Sequence, residues 1–240
     1  MTSRNNCRSL TIFLLCALNG VMYSHSVWSM VLEEVVVTAQ KREQNAQDIG
    51  INISAFTGSA LRDMGLTSSN EIAAKVPNLT IASPTGEGGV VVIFVRGVGL
   101  NDFATNGTQP VGVYVDEIYM VNNSQLSFQL FDVERVEVLK GPQGTLYGRN
   151  TTAGAVSFVS KKPTDEFEAS LSLTAGDYDL FSTEFAIGGG LSDTVSARLS
   201  LSSETQGEGY FNNDLTGKDH GETDRSGYRL QFQWDMSEST

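Results

Sequence analysis

From residue 167 onward the chain alternates. Phe167, Ala169, Leu171, Leu173 and Ala175 stand against Glu168, Ser170, Ser172 and Thr174. Phe181, Thr183, Phe185 and Ile187 stand against Ser182, Glu184 and the small Ala186 and Gly188. Val195, Ala197, Leu199 and Leu201 oppose Ser196, Arg198, Ser200 and Ser202, and Tyr228, Leu230, Phe232 and Trp234 oppose Arg229, Gln231, Gln233 and Asp235. A period of two puts each set on one face of a strand, so the pattern predicts four strands, each apolar on one side. Segments of roughly 9–11 residues suit strands that cross a bilayer. A soluble sheet with one wet face has the same pattern.

Upstream the pattern is mixed. Leu32 to Arg42 is extended, with acidic residues, a β-branched run and a polar exit. Ile49 to Phe56 predicts a strand, Leu61 to Leu66 a short helix ending at Gly65, and Ser68-Ser69-Asn70-Glu71 a capping box that opens a helix from Glu71 to Val76. Pro77 stops that helix. Asn78 to Ala82, Val90 to Val95 and Val111 to Glu117 predict further strands, separated by polar loops at Ser83 to Gly89 and Gly97 to Pro110. A turn of helix follows Asn122-Asn123-Ser124. Val133 to Leu139 alternates imperfectly, the pattern of a strand at a sheet edge, and Ala153 to Val159 forms its partner. Between them Gly141 to Asn150 must turn, because Pro142 cannot donate to a ladder and the glycines allow positive φ. The whole reads as a mixed α/β domain whose long polar loops suit binding.

The N-terminus decides the compartment. Arg4 and Arg8 precede a mostly apolar stretch from Leu10 to Met22, and Ser24 and Ser26 fit a signal-peptidase site. The prediction is export with cleavage near Ser26. Both cysteines, Cys7 and Cys16, fall inside this signal, so the mature chain is expected to lack thiols and disulfides. Net charge is −12, and it becomes −14 without Arg4 and Arg8. That acidity argues against nucleic acid as a partner. Export tips the four alternating segments toward a membrane. The tight turn predicted at Gly188 to Asp193 and the long polar loop at Thr205 to Arg225 match the unequal connections of outer-membrane barrels. Tyr178, Phe181, Tyr210, Phe211 and Trp234 fall near strand ends, where aromatic girdles sit. Four strands cannot close a barrel, and an open edge is costly in lipid. The pattern therefore predicts more strands than these 240 residues hold, and with the polar tail Ser237 to Thr240 directly after a strand the chain reads as a fragment.

Catalytic chemistry finds few parts. Gly141 to Thr152 invites a phosphate-loop reading, but no Gly-Lys-Ser/Thr ends it. His220 is the one histidine downstream of the signal, which leaves no His-based metal cluster or nucleophile pair. No enzyme activity and no cofactor are expected.

The assembled residues resemble those of the TonB-dependent outer-membrane receptors. Glu33-Glu34-Val35-Val36-Val37-Thr38-Ala39 looks like a TonB box, and Phe131 to Lys162 like the end of the plug. Val95-Arg96-Gly97-Val98-Gly99 and Val113-Tyr114-Val115-Asp116 are similar to plug signatures. The resemblance implies an α+β plug domain followed by the first antiparallel strands of a transmembrane β-barrel, of about 22 strands in the intact family member. It implies a signal peptide at 1–26, a periplasmic extension with the box at 27–45, a plug at 46–163 and barrel strands from 164. The implied function is active uptake of a scarce solute, such as an iron–siderophore complex, across the bacterial outer membrane. The implied partners are TonB with ExbB and ExbD, and outer-membrane lipid. By the same likeness Glu33 to Ala39 would bind TonB by strand addition, and Arg96 and Arg149 would pair with barrel glutamates. Ser83, Thr85, Glu87, Asn101, Asp102, Phe103, Tyr119, Asn122 and Asn123 would lie on loops facing solute. A passive porin or a secreted binding protein is the alternative. A porin has neither an internal plug nor an N-terminal box, and a soluble binder would need a polar outer face on the four segments.

Overall fold

The computed structural model describes residues 35–38, 41–42, 44–86, 89–100 and 107–236. The predicted signal at 1–26 and the tail Ser237 to Thr240 lie outside them. The α/β part is built on a five-stranded sheet. β1 (Val36–Val37) pairs with β2 (Gln44–Asn45), and then come β3 (Asn52–Thr57), β4 (Leu79–Ala82), β5 (Val92–Val95) and β6 (Val98–Gly99). β7 (Val111–Val115), β8 (Ile118–Tyr119), β9 (Val133–Lys140) and β10 (Gly154–Ser160) complete it. The large sheet runs β3-β9-β10-β7-β8, and β4-β5-β6 form a separate sheet. β10 lies parallel to β7 and antiparallel to β9.

β9 is not the edge strand that its alternation predicts. It lies between β3 and β10 with both faces covered. Val136 and Val138 face the main core with Ile72, Val91, Val95 and Val156. Leu139 faces a second core with Val37, Tyr114 and Ala155. Glu137 on that second face is fully buried. Inside, Glu137 is matched by Arg135, which donates to it at 2.8 Å.

The short helices sit slightly off their predicted places. The first spans Gly58–Asp63, one turn earlier than expected, because Thr57 caps it by accepting from the Ala60 N–H at 3.2 Å. The second is a 3₁₀ helix, Ser69–Ala74. The Glu71 carboxylate accepts from the Thr67 and Ser68 N–H groups at 2.7 and 3.1 Å, so the capping residues do open it. A further 3₁₀ turn, Asn123–Gln125, follows Asn122. The connection at Gly141 to Asn150 contains a one-turn helix, Gly144–Tyr147.

The four alternating segments form one antiparallel sheet. β11 is Glu168–Gly176, β12 Leu180–Ser192 and β13 Val195–Gln206. A small hairpin of β14 (Phe211–Asn213) and β15 (Lys218–His220) precedes β16 (Thr223–Trp234). The order is β11-β12-β13-β16. Register lines up Leu171, Phe185, Leu201 and Tyr228 in one row, with Ala169, Ile187, Leu199 and Leu230 beside it. The serine face turns toward the α/β part, where Ser196, Arg198, Ser200 and Ser202 are buried. The apolar face turns away, with Leu230, Phe232 and Trp234 exposed. In water this arrangement would be inverted, because a contiguous apolar band of this kind is unfavourable there. Facing lipid, it is the arrangement of an outer-membrane barrel wall.

The connections correct two expectations. The turn between β12 and β13 is Asp193-Thr194, and Gly188 to Gly190 lie inside β12. These glycines serve close approach. A Cβ on Gly188 would sit 3.0 Å from the Ala197 carbonyl and 3.2 Å from Arg198 Cγ, while the Gly190 N–H donates to the Asp165 carbonyl at 3.0 Å. The loop predicted from Thr205 to Arg225 is shorter, because β13 runs to Gln206, β16 begins at Thr223, and β14 and β15 pair between them. Tyr178 and Tyr210 stack edge-on at 4.8 Å at this end of the sheet.

Leu230→Arg places a charge in the outward apolar rows and should cost about 2–4 kcal/mol of stability in a bilayer. Leu230→Val should cost far less. Urea unfolding in lipid vesicles measures the difference.

Candidate functional site

Two places concentrate polar chemistry, one around β1 and one where the α/β part meets the four-stranded sheet. β1 is held by a short ladder and by its side chains. Val36 and Val37 pair with Asn45 and Gln44. Val37 is fully buried, while Val36 is 46% exposed. The Thr38 N–H donates to Glu137 Oε1 at 2.8 Å, and Arg135 Nε donates to the same oxygen at 2.8 Å. Arg135 Nη2 also donates to Thr38 Oγ1 at 2.9 Å, and its Nη1 pairs with Glu134. Beyond the strand, Lys41 lies 3.4 Å from Glu117 and 5.1 Å from the centre of the Tyr147 ring. The Tyr114 hydroxyl donates to the Tyr147 carbonyl at 2.6 Å. Burial first, then the Glu137 charge, pushes the Tyr147 phenol far above its ordinary range, and burial raises Tyr114 too. Both phenols stay neutral. Of the predicted box, Val35 to Thr38 are described, and Glu33, Glu34 and Ala39 lie outside the described residues.

The second place is organised by Asp132. It ends the loop before β9 with a positive φ of 49°, a conformation that aspartate tolerates better than most residues. Its carboxylate accepts from Arg198 Nη2 at 2.6 Å and Nε at 2.7 Å, and from the Ser200 hydroxyl. Arg229 Nη2 lies 3.8 Å from the same carboxylate and donates to the Phe131 and Asp132 carbonyls at 2.9 Å each. Its guanidinium also stacks 4.8 Å from the Phe131 ring. That ring fills the space a side chain would need at Gly227, where an added Cβ would meet Phe131 Cε1 at 2.9 Å. Arg198 Nη1 reaches Glu168 at 3.0 Å, and Lys161 approaches Glu168 at 3.5 Å. Strands β11, β13 and β16 are thus tied to one loop of the α/β part. Burial alone would raise the Asp132 pKa. The Arg198 and Ser200 hydrogen bonds and the arginine charges outweigh burial, and they hold it below the ordinary value.

Arg96 and Arg149, the arginines singled out in the sequence, sit elsewhere. Both are exposed. Arg96 has a positive φ of 52° and its N–H donates to the Asn78 carbonyl at 2.8 Å. Burial and the Arg96 charge together lower the pKa of Lys140. Among the described residues neither arginine forms an ion pair with the four-stranded sheet. Asp132 was missed as a contact. Its signal was available in its partners, since Arg198 stands between Ser196 and Ser200 and Arg229 between Gly227 and Gln231 on the polar faces of their strands.

The residues expected on solute-facing loops divide into two groups. Ser83, Thr85, Asn122 and Asn123 lie near one end of β5. Thr85 Oγ1 accepts from the Val90 N–H at 3.2 Å, and the Asn123 carbonyl accepts from the Val91 N–H at 3.2 Å. Asn122 is exposed and caps the 3₁₀ turn through the Ser124 N–H at 3.0 Å. Asn123 is buried, and its Nδ2 donates to the Gly107 carbonyl at 3.3 Å. Tyr119 belongs to the Val37 side, packed 5.5 Å from Tyr114 and accepting from Asn150 Nδ2 at 3.1 Å. Glu87, Asn101, Asp102 and Phe103 lie outside the described residues.

Comparison with known proteins places this geometry. Residues 45–155 match the family model described as the TonB-dependent receptor plug domain. The chain is 25% identical over 214 residues to the vitamin B12 transporter BtuB of Vibrio vulnificus strain YJ016, covering 88% of this chain and 34% of that protein. It is 25% identical over 205 residues to the ferripyoverdine receptor of Pseudomonas aeruginosa, covering 85% of this chain and 24% of that one. It is 30% identical over 162 residues to the pesticin receptor of Yersinia pestis, covering 66% and 23%. Among solved structures, the ferric yersiniabactin uptake receptor FyuA from Y. pestis superposes with a TM-score of 0.69 at 26% identity, covering 76% of this chain and 28% of that one. The pyoverdine receptor FpvA of P. aeruginosa PAO1 shares the fold, with a TM-score of 0.65 at 19% identity over 84% of this chain and 28% of its own. The chain therefore spans about a third or less of the length of these relatives.

Asp132→Ala leaves Arg198 buried without its carboxylate and should cost about 3 kcal/mol. Hydrogen exchange of the β9 amides should rise accordingly. With the folded pKa lowered, this contribution is fully present above roughly pH 4, the ordinary aspartate value, and is lost as pH falls through the folded pKa. An acid titration of stability should lose that acid-sensitive component in Asp132→Ala.

Proposed function

We propose, from the premise that the chain belongs to the TonB-dependent outer-membrane receptors, that it serves energy-coupled uptake of a scarce solute. Residues 27–45 would form a periplasmic extension carrying the box, 46–163 the plug, and the strands from 164 onward the barrel wall. TonB, driven by ExbB and ExbD, would pair with the segment Glu33 to Ala39 by strand addition, so an extended, unblocked backbone matters more there than side-chain identity. The observation that carries this reading is β1 itself. It is a two-residue strand with β2 on one edge, no neighbour on the other among the described residues, and Val36 exposed.

The solute we infer is an iron–siderophore complex, supported by the yersiniabactin and pyoverdine receptors among the similar structures. The likeness to a vitamin B12 transporter over 88% of the chain favours cobalamin as the second reading. Solute would meet the loops around Ser83, Thr85 and Asn122, and the same role is proposed for Glu87, Asn101, Asp102 and Phe103, which lie outside the described residues. Arg96 and Arg149, exposed on the plug, would face glutamates of further barrel strands.

Val36→Pro removes a main-chain donor and should abolish capture of TonB while leaving solute binding intact. Pull-down with the periplasmic TonB domain, run beside an equilibrium binding assay, checks both halves. Capture that survives the proline would overturn the box assignment. Competition of labelled ferric siderophore against cobalamin in whole cells decides between the two solutes.

A further inference from the structure

We propose that Glu137 is a positioning residue for the box, a catch that holds residues 35–38 against the plug and is kept weak by an unpaired oxygen. The proposal rests on the reading of Glu33 to Ala39 as the TonB box. Glu137 is fully buried in the middle of β9. Its Oε1 gathers the Thr38 N–H at 2.8 Å, Arg135 Nε at 2.8 Å and the Thr38 hydroxyl at 3.3 Å. Its Oε2 is also buried and has no partner among the described residues. A carboxylate with one oxygen served and the other bare is costly to keep dry. The docked segment therefore supplies the donors that make burial of Glu137 tolerable, without making it favourable throughout.

The surroundings are arranged for release. A cavity of about 290 Å³ opens beside the catch, lined by Thr38 and Arg135 together with Lys41, Tyr114, Tyr147 and Lys162. When residues 35–38 leave, water from this cavity can reach both carboxylate oxygens, and Arg135 stays as the counter-charge. Hydration of Oε2 then offsets part of what is lost with the Thr38 bonds and with burial of Val37. The main-chain contribution to be broken is small, since β1 and β2 pair over two residues. Docked and free positions are thus close in free energy, as a strand that must be handed to a partner requires.

The test uses Val37→Cys as a reporter, because Val37 is fully buried when docked and, within these 240 residues, the native cysteines are Cys7 and Cys16. The full chain in isolated outer membranes is treated with a water-soluble maleimide, and the labelling rate at position 37 is followed. Glu137→Met keeps the length of the side chain and removes the acceptor. Thr38→Pro removes the donor from the other side and leaves the plug interior untouched. Each should raise the labelling rate roughly tenfold, the loss of one charge-assisted hydrogen bond, with hydrogen exchange of β10 unchanged. Rates within twofold of the parent in Thr38→Pro would overturn the proposal, whether or not Glu137→Met folds. Capture of TonB is read in the Glu137→Met membranes, where the backbone of Glu33 to Ala39 is left intact. Faster labelling with no gain in capture supports the catch and removes the box reading, and faster labelling with greater capture supports both.

Discussion

The relation between the two parts of this protein depends on one buried carboxylate. Asp132 brings the plug loop against β13 and β16 through Arg198, Ser200 and Arg229. A buried ion pair contributes little net stability over an apolar contact of the same shape, but breaking one half of it is expensive. Its value here is positional. A lipid-facing wall cannot grip a plug by hydrophobic contact without hiding its apolar residues on the wrong side. The wall therefore turns serines inward and uses two arginines as its grip, with Phe131 seated over Gly227 to fix the register.

The same economy is visible at β1. There Val37 enters a small second core, and Glu137 takes its donors from Thr38 and Arg135. The contact at Asp132 joins one carboxylate to two arginines and a serine, whereas the contact at β1 rests on a two-residue ladder and the bonds of Thr38 to Glu137 and Arg135. β9 links them, since Asp132 precedes it and Glu137 lies within it. The cavity beside the second contact is lined by Gln231 of β16 as well as by Thr38 and Arg135, so both contacts border the four-stranded sheet.

Much of the fold was legible in the sequence, because a period of two needs no tertiary information. The four wall strands, their facing and the β9–β10 pairing all follow from alternation. The readings that failed were those where a polar or glycine residue had a tertiary reason. The run holding Glu137 read as a sheet edge and lies inside the sheet, where Arg135 and Thr38 meet the carboxylate. Gly188 to Gly190 looked like a turn and instead make room for Arg198 and the passing chain at Asp165. The export signal, part of the box and several loop residues fall outside the described residues. Asp132 was the least legible part of the site, since it is one acidic residue among many until its arginines are placed on the inward face.

Energy coupling is the claim on which the functional account stands. Its most direct measurement is uptake of labelled ferric siderophore by cells carrying the intact receptor, before and after a protonophore collapses the inner-membrane gradient, and again in cells without TonB. The account predicts that accumulation stops under both conditions while binding at the cell surface persists. Accumulation that continues at the same rate without gradient or TonB would contradict it and would mark the protein as a passive pore.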